Sequence, residues 1–422
     1  MTKTLAQLND SYHDLFYSED QALFSLLLAI VVGAKINTPV VWIYLVGPSS
    51  GGKGTVLSAL NKVPFATQIS DLTPNTFLSG MKVAGQETSL LKKLGNNFLV
   101  TMKDFTTMMS KDETAQGQIM AQMREIYDGY ITKVTGNGKE MKWGEKDKPW
   151  KSTFIMATTE EIYHVQEKFV GMGTRAINYV FVPQDRKRTT RASFANKRNG
   201  AEFAERLASL QEDVAEFVAE MIANAPTTFV AIPEDVENEI IDVADLSSQC
   251  RSVVKRNYKG EKDLALSAEF PMRMAEQLLG ITQLMTYING GVLTEDIKKC
   301  VYKCAFDSIT KQRRMILEVA AKHPFIEVVG VAMAINYPPN LVRAWVEDLN
   351  MFGVLERHKR GAKEYWRIKD EYRAVVVKHM GIIPVKENLE GDETGEISGR
   401  DKTWEEKEAE LLAKKNFEET FS

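Results

Sequence analysis

The sequence predicts an α/β fold in which a mostly parallel sheet, covered by helices on both sides, precedes a helical region and a small mixed module. Three observations carry this. VVWIYLV at 40–46 is an unbroken β-branched and aromatic run, as expected of a strand buried on both faces, and it feeds directly into a glycine-rich loop and a helix. Four further short apolar runs, FATQI, NFLVTM, STFIMAT and INYVFV, begin near 65, 97, 152 and 177 and alternate with helical stretches. From about 201 to 320 the periodicity is helical only.

The 422 residues are about three common domains in length. With 44% hydrophobic and 26% charged residues the chain reads as an ordinary globular protein. Its net charge of −4 argues against a surface coated overall in nucleic acid and leaves room for a local basic groove. The longest apolar run, 22–32, is too short to cross a bilayer and reads as a buried helix. The opening MTKTLAQLND has no secretory pattern. Cys250, Cys300 and Cys304 form neither a disulfide framework nor a metal spacing, so a reducing bacterial cytoplasm is expected.

Residues 19–35 read as one helix opened by Ser18, Glu19 and Asp20. The loop that follows the first strand, GPSSGGKGT (Gly47, Pro48, Ser49, Ser50, Gly51, Gly52, Lys53, Gly54, Thr55), fits the G-x-x-x-x-G-K frame of a P-loop. Glycines there let backbone N–H groups curl around phosphate oxygens, and Lys53 brings a mobile charge to the β and γ phosphates. The usual Ser or Thr after the lysine is replaced by Gly54, with Thr55 one place later. That GKGT ending also occurs in adenylate-kinase-like P-loops. Which hydroxyl reaches Mg²⁺ stays open, Thr55 being the candidate.

The second half of such a site is an acid at a strand end. NFLVTMKDF offers Asp104, flanked by Lys103 and Phe105 where many ATPases carry a second carboxylate. Asp104 either holds the metal, the favoured role, or orients the attacking water. Slow hydrolysis is one expectation of the missing acid.

Ser110 and Glu113 form a candidate capping box for a helix through AQMREIYDGY. ITKVTGNGKEMKW then alternates around Gly136, Asn137 and Gly138, a hairpin signal over 131–145 with Lys133, Lys139 and Lys142 near its tip. The strand after it ends in Thr158 and Thr159, and Arg175 precedes the last strand.

This arrangement resembles the AAA+ ATPases that carry a β-hairpin before the sensor-1 strand: superfamily 3 and phage primase-helicase-type helicases, and minichromosome maintenance helicases. The resemblance covers about 40–310. It implies a hexameric ring with ATP and Mg²⁺ at subunit interfaces and single-stranded DNA gripped in the pore by Lys139. It further implies Thr158 or Thr159 as the sensor-1 polar residue, Arg175 as a finger to the neighbouring subunit's γ phosphate, and Arg273 as sensor 2.

Residues 312–370 give helix, helix, turn NYPPN, helix and two strands, the order of a winged helix. Arg357, His358, Lys359, Arg360 and Lys363 make its wing basic, suited to phosphate contact or to plain protein contact. Residues 386–422 hold 12 acidic and 6 basic residues. They read as a largely disordered tail, with Phe417 and Phe421 a candidate contact for a replication partner.

The expected organisation is an N-terminal helical segment (1–36), a P-loop core (37–190), a helical lid (191–311), a winged helix (312–380) and the tail (381–422). The function this implies is an ATP-dependent DNA translocase or replicative helicase of a phage or mobile element. The alternative is an ATP-switched loader, initiator or regulator without processive unwinding. A nucleotide kinase, implied by GKGT alone, fits the helical region poorly.

Overall fold

A computed structural model describes residues 2–16, 20–79, 82–83, 86–134, 138, 140–169, 175–182, 185–256, 262–265 and 267–384, with the backbone alone at 82–83, 86–87 and 262–265. Contacts divide the chain at Ile383/Pro384, and the following concerns the unit Met1–Ile383.

Two helices come first, α1 (Leu5–Phe16) and α2 (Leu23–Gly33). Asp20 starts α2: its Oδ1 accepts from the N–H groups of Ala22 and Leu23 at 3.2 and 3.1 Å. Of the expected opening residues, Ser18 and Glu19 lie outside the described residues. Ten of the eleven α2 residues are buried, which explains a run too apolar for a surface helix.

The chain continues as β1 (Ile43–Val46), α3 (Lys53–Ser58), β2 (Ala66–Ile69), the small pair β3 (Lys82–Val83) and β4 (Gln86–Glu87), α4 (Leu90–Leu94), β5 (Phe98–Met102), α5 (Thr106–Met109) and α6 (Glu113–Tyr127). Then follow β6 (Tyr130–Val134), β7 (Glu140–Gly144), β8 (Ser152–Thr158), α7 (Ile162–Lys168) and β9 (Ile177–Val180). The five apolar runs become one sheet of order β2-β5-β8-β1-β9, parallel throughout. Every residue of β1, β5 and β8 is buried, as an internal parallel strand requires. The α6 cap differs from the expected one: Asp112, not Ser110, accepts from Ala115 N–H at 3.0 Å, and Ser110 ends the preceding turn.

Helix α8 (Arg186–Arg198) runs through residue 190, the boundary expected between core and helical region, and leads into α9 (Gly200–Ala223) and α10 (Glu234–Cys250). The helical region is not purely helical, because β10 (Val254–Arg256) and β11 (Lys262–Ala265) pair before α11 (Met272–Ile288) and α12 (Glu295–Asp307). The last module is α13 (Lys311–Lys322), α14 (Val328–Ile335), α15 (Pro339–Met351), the hairpin β12 (Leu355–Arg360) and β13 (Lys363–Ile368), and α16 (Asp370–His379). Ile326 makes an antiparallel bridge to Trp366 beside that hairpin.

One apolar core runs from α1 and α2 through one face of the sheet to α9–α16, and a second lies on the other face with α6 and the hairpin β6–β7. The two leading helices are thus part of the main core. Among the described residues no helix is long and apolar enough to cross a membrane.

Candidate nucleotide site

In a parallel sheet the crevice beyond the carboxyl ends of the strands is the usual ligand position. Here β8 lies between β1 and β5, so Thr158 at its end sits between the glycine-rich loop and Asp104. Both flanking segments lean on β8: Gly47 N–H donates to the Thr158 carbonyl at 3.1 Å, and Phe105 N–H to that of Ala157 at 2.7 Å.

The loop is built by its glycines. A Cβ on Gly47 would lie 2.2 Å from the Phe181 carbonyl oxygen, so only glycine lets β1 leave the sheet beside β9. Gly52 has φ +89°, in the left-handed region that glycine adopts freely. Gly51 N–H turns back to the Pro48 carbonyl at 3.1 Å. Lys53 is buried, and its ammonium donates to the carbonyls of Gly47 and Pro48, both at 2.6 Å. Burial lowers its pKa, with Asp104 pulling the other way.

Asp104 is exposed, and one carboxylate oxygen accepts from Thr106 N–H at 2.9 Å and from the Thr106 hydroxyl. Thr158 is buried, and its Oγ1 has no hydrogen-bond partner among the described residues. A buried hydroxyl without a partner costs about 1–3 kcal/mol, which makes it a candidate for a ligand contact.

These residues share one cavity of about 2120 Å³, whose lining includes Ser49–Thr55, Lys103, Asp104, Thr158 and Thr159. The same cavity is also lined by Thr189, Ser193, Asn196 and Lys197 of α8, and by Met285 of α11 and Asn289 just after it. Two contributors were missed from the sequence. Lys103 registered only as an absent acid, yet its side chain packs against Gly54, where an added Cβ would meet it at 3.8 Å. The α8 face had no local motif, only its composition RKRTTRASFANKR.

The donor set fits a polyphosphate and a magnesium ion. Mg²⁺ is commonly held by one or two carboxylates together with substrate phosphates and water. Asp104 and Thr55 both line the cavity and are the residues that would share in that, and no self-sufficient cluster of three metal-ligating side chains exists among the described residues.

Arg175 and Arg273 are not brought to this cavity. β9 runs parallel to β1, so Arg175 stands at the opposite, amino end of the sheet. Its guanidinium meets Asp128 at 3.0 Å and lies over the Tyr127 ring. Arg273 opens α11 and pairs with Glu269, whereas it is Met285 and Asn289, about three turns on, that line the cavity.

At the hairpin β6–β7, Lys139 lies outside the described residues. Lys133 turns inward and donates to the carbonyls of Pro74 and Leu78 and to Asn75 Oδ1. Burial lowers its pKa. Lys142 is exposed and pairs with Glu140 at 3.1 Å. Trp143 anchors the hairpin base through its indole N–H to the Gly95 carbonyl at 2.7 Å.

The hairpin β12–β13 is basic, with five Lys and Arg residues against two glutamates that answer part of the charge. His358 lies 3.3 Å from Glu356, and Arg357 and Lys359 both approach Glu364, at 3.2 and 4.0 Å. Arg360 stacks over Phe325 and Tyr365.

No family model and no curated protein matches the chain. Among solved structures it is similar to one described as the SCCmec type IV Cch active helicase, with 12% identity, 89% of this chain and 72% of that chain covered, and a TM-score of 0.36. It is also similar to the A form apo structure of the NrS-1 C terminal region, with 15% identity, 87% and 76% coverage, and a TM-score of 0.25. The chain is a mixed α/β protein with a five-stranded parallel sheet flanked by helices, compatible with a P-loop core.

Proposed function

We propose that the chain is an ATP-driven DNA translocase of the AAA+ kind, with its nucleotide at the carboxyl ends of β1, β8 and β5. The observation that supports this most is the convergence of Lys53, Asp104 and the unpartnered Thr158 hydroxyl on one cavity. Lys53 would exchange two loop carbonyls for β and γ phosphate oxygens, a charge-assisted contact worth more than the neutral ones it leaves. Asp104 and Thr55 would share the magnesium ion, and Thr158 would hydrogen-bond the γ phosphate or the attacking water.

Arg175, at the far end of the sheet, has a part in this reading only if a neighbouring subunit presents it, so the reading includes a ring with ATP at subunit interfaces. Within it the helical region after β9 acts as a lid. The module α13–β13 acts as a winged helix, with His358, Lys359 and Arg360 as secondary phosphate contacts. The hairpin carrying Lys139 and Lys142 serves as the pore element. An ATP-switched loader or regulator is the second reading, supported by Lys103 standing where a second acid would orient water.

Strand displacement on a forked DNA duplex tests the proposal, with Lys53→Ala as control. The translocase reading expects ATP-dependent displacement that Lys53→Ala abolishes. ATP-dependent DNA binding without displacement would select the switch. Phosphoryl transfer to a nucleoside monophosphate would overturn both.

A further inference from the structure

Helix α8 carries Arg186, Lys187, Arg188, Arg191, Lys197 and Arg198 and no acidic residue, and none of its thirteen residues is buried. Such a helix gains little from packing, and like charges spaced i, i+4, as at Lys187 and Arg191, oppose it by a few tenths of a kcal/mol. Cations kept at that cost call for an anionic partner.

The two faces of α8 differ. Thr189, Ser193, Asn196 and Lys197 face the nucleotide cavity, and Asn196 also donates to the Leu15 carbonyl. At 100° per residue, Lys187, Arg191, Phe194 and Arg198 fall within an arc of about 60° on the opposite side. All four are exposed, Phe194 by 55%. Among the described residues no ion pair engages Lys187, Arg191 or Arg198, whereas Glu356 and Glu364 answer part of the charge on the hairpin β12–β13.

We propose that this outer face of α8 binds the backbone of single-stranded DNA, with Phe194 stacking on a base. The three cations are spread over about 16 Å of helix axis, which suits a linear polyanion better than a compact ion. An exposed aromatic among cations is the combination that holds single strands, since every base presents a π face. A membrane surface fits poorly: Phe194 is the lone large apolar group on this face, too little to insert beside lipid headgroups. Because the inner face lines the cavity that Lys53 and Asp104 also line, α8 stands between such a strand and that cavity.

The inference rests on the DNA-handling reading, and the experiment separates their failures. Fluorescence anisotropy of a labelled oligo-dT is measured with the full chain across a salt series, with fluorescent-ATP binding as the fold control. The triple variant Lys187→Ala/Arg191→Ala/Arg198→Ala should lose at least tenfold in oligo-dT affinity, and its log–log salt slope should fall by about 2, at about 0.7 per lost contact. Phe194→Ala should lose fivefold or more with its slope unchanged, and Arg191→Lys should keep the wild-type slope. ATP affinity should stay within twofold in all three. Unchanged oligo-dT affinity and slope in the triple variant would overturn the α8 assignment alone and leave the face to an acidic protein partner. Failure of the wild-type chain to bind oligo-dT would overturn the DNA reading with it.

Discussion

The amino end of the central sheet and the corner around the glycine-rich loop at its carboxyl end handle polar groups in opposite ways. At the amino end, side chains bond between distant elements. Arg175 meets Asp128 at 3.0 Å, and Gln277 donates to the Tyr127 hydroxyl and the Arg175 carbonyl at 2.8 and 2.7 Å. Lys151 donates to the Ile36 and Thr38 carbonyls and the Thr38 hydroxyl at 2.9, 2.7 and 2.9 Å. Around the glycine-rich loop the side-chain bonds are local or missing, although at the end of β9 the Val180 N–H donates to Asp307 and Lys303 donates to the Val180 carbonyl, both at 2.7 Å. Lys53 bonds its own loop, Asp104 bonds a residue two places on, and Thr158 Oγ1 bonds nothing described. Contacts between elements hold the fold, whereas contacts within a loop can be exchanged for a ligand without unfolding anything.

The largest expected effect tests whether the amino end also serves catalysis. If a neighbouring subunit uses Arg175, Arg175→Ala should lower ATP turnover by about 10³-fold, about 4 kcal/mol of barrier. Asp128→Asn, which releases the guanidinium, should retain turnover. Equal loss of thermal stability in both variants with turnover per folded molecule intact would make Arg175 a purely structural partner, and the comparison would stand in its simplest form.

Next in size is Gly47→Ala. The added Cβ meets a backbone oxygen at 2.2 Å that has no soft neighbour to yield, so β1 and β9 must part. A loss of about 3 kcal/mol is expected, read as a lower urea midpoint. A midpoint within 0.5 kcal/mol of wild type would show that the loop is not built on this close approach.

Thr158→Val should be small in stability and large in function. Removing an unpartnered buried hydroxyl should leave stability unchanged or raise it by about 1 kcal/mol, while ATP turnover falls at least tenfold. A destabilised variant would mean that the hydroxyl already serves the fold.

The smallest effect is a slope. Burial pushes the Lys151 ammonium down to about 7 from 10.5. Between those values the unfolded chain binds more protons than the native one, so this group's contribution rises with pH. It is complete above 10.5 and lost as pH falls through about 7. Lys151→Met should flatten the rise in denaturation midpoint between pH 7 and 9; an unaltered slope would show that the three oxygen acceptors hold the charged form.

How much of this the sequence makes legible follows distance along the chain. The internal strands β1, β5 and β8 were readable because a strand buried on both faces is apolar nearly throughout, whereas the edge strand β2 is only partly buried and showed as a shorter apolar signal. The glycine-rich loop was readable for a related reason: Gly47, Gly52 and Lys53 lie within seven consecutive residues, and the geometry they impose is local. The capping of α6 was misread by two residues, since Ser110 and Asp112 offer the same chemistry and only the backbone path chooses between them. The basic character of the hairpin β12–β13 was readable as composition, but which of its cations Glu356 and Glu364 meet depends on cross-strand register.

The sequence by itself determined an α/β chain with a nucleotide-type loop, an acid at a strand end and a helical second half. Tertiary structure alone decided that β8 lies between β1 and β5, which brings Thr158 beside both Gly47 and Asp104. It also decided that Lys103 stands against Gly54, that one face of α8 lines the same cavity as the loop, and that Arg175 and Arg273 do not. The reason is physical. Turn and strand preferences act over a few residues, whereas strand order and helix placement come from burying apolar faces across the whole chain, and no short segment encodes its partner.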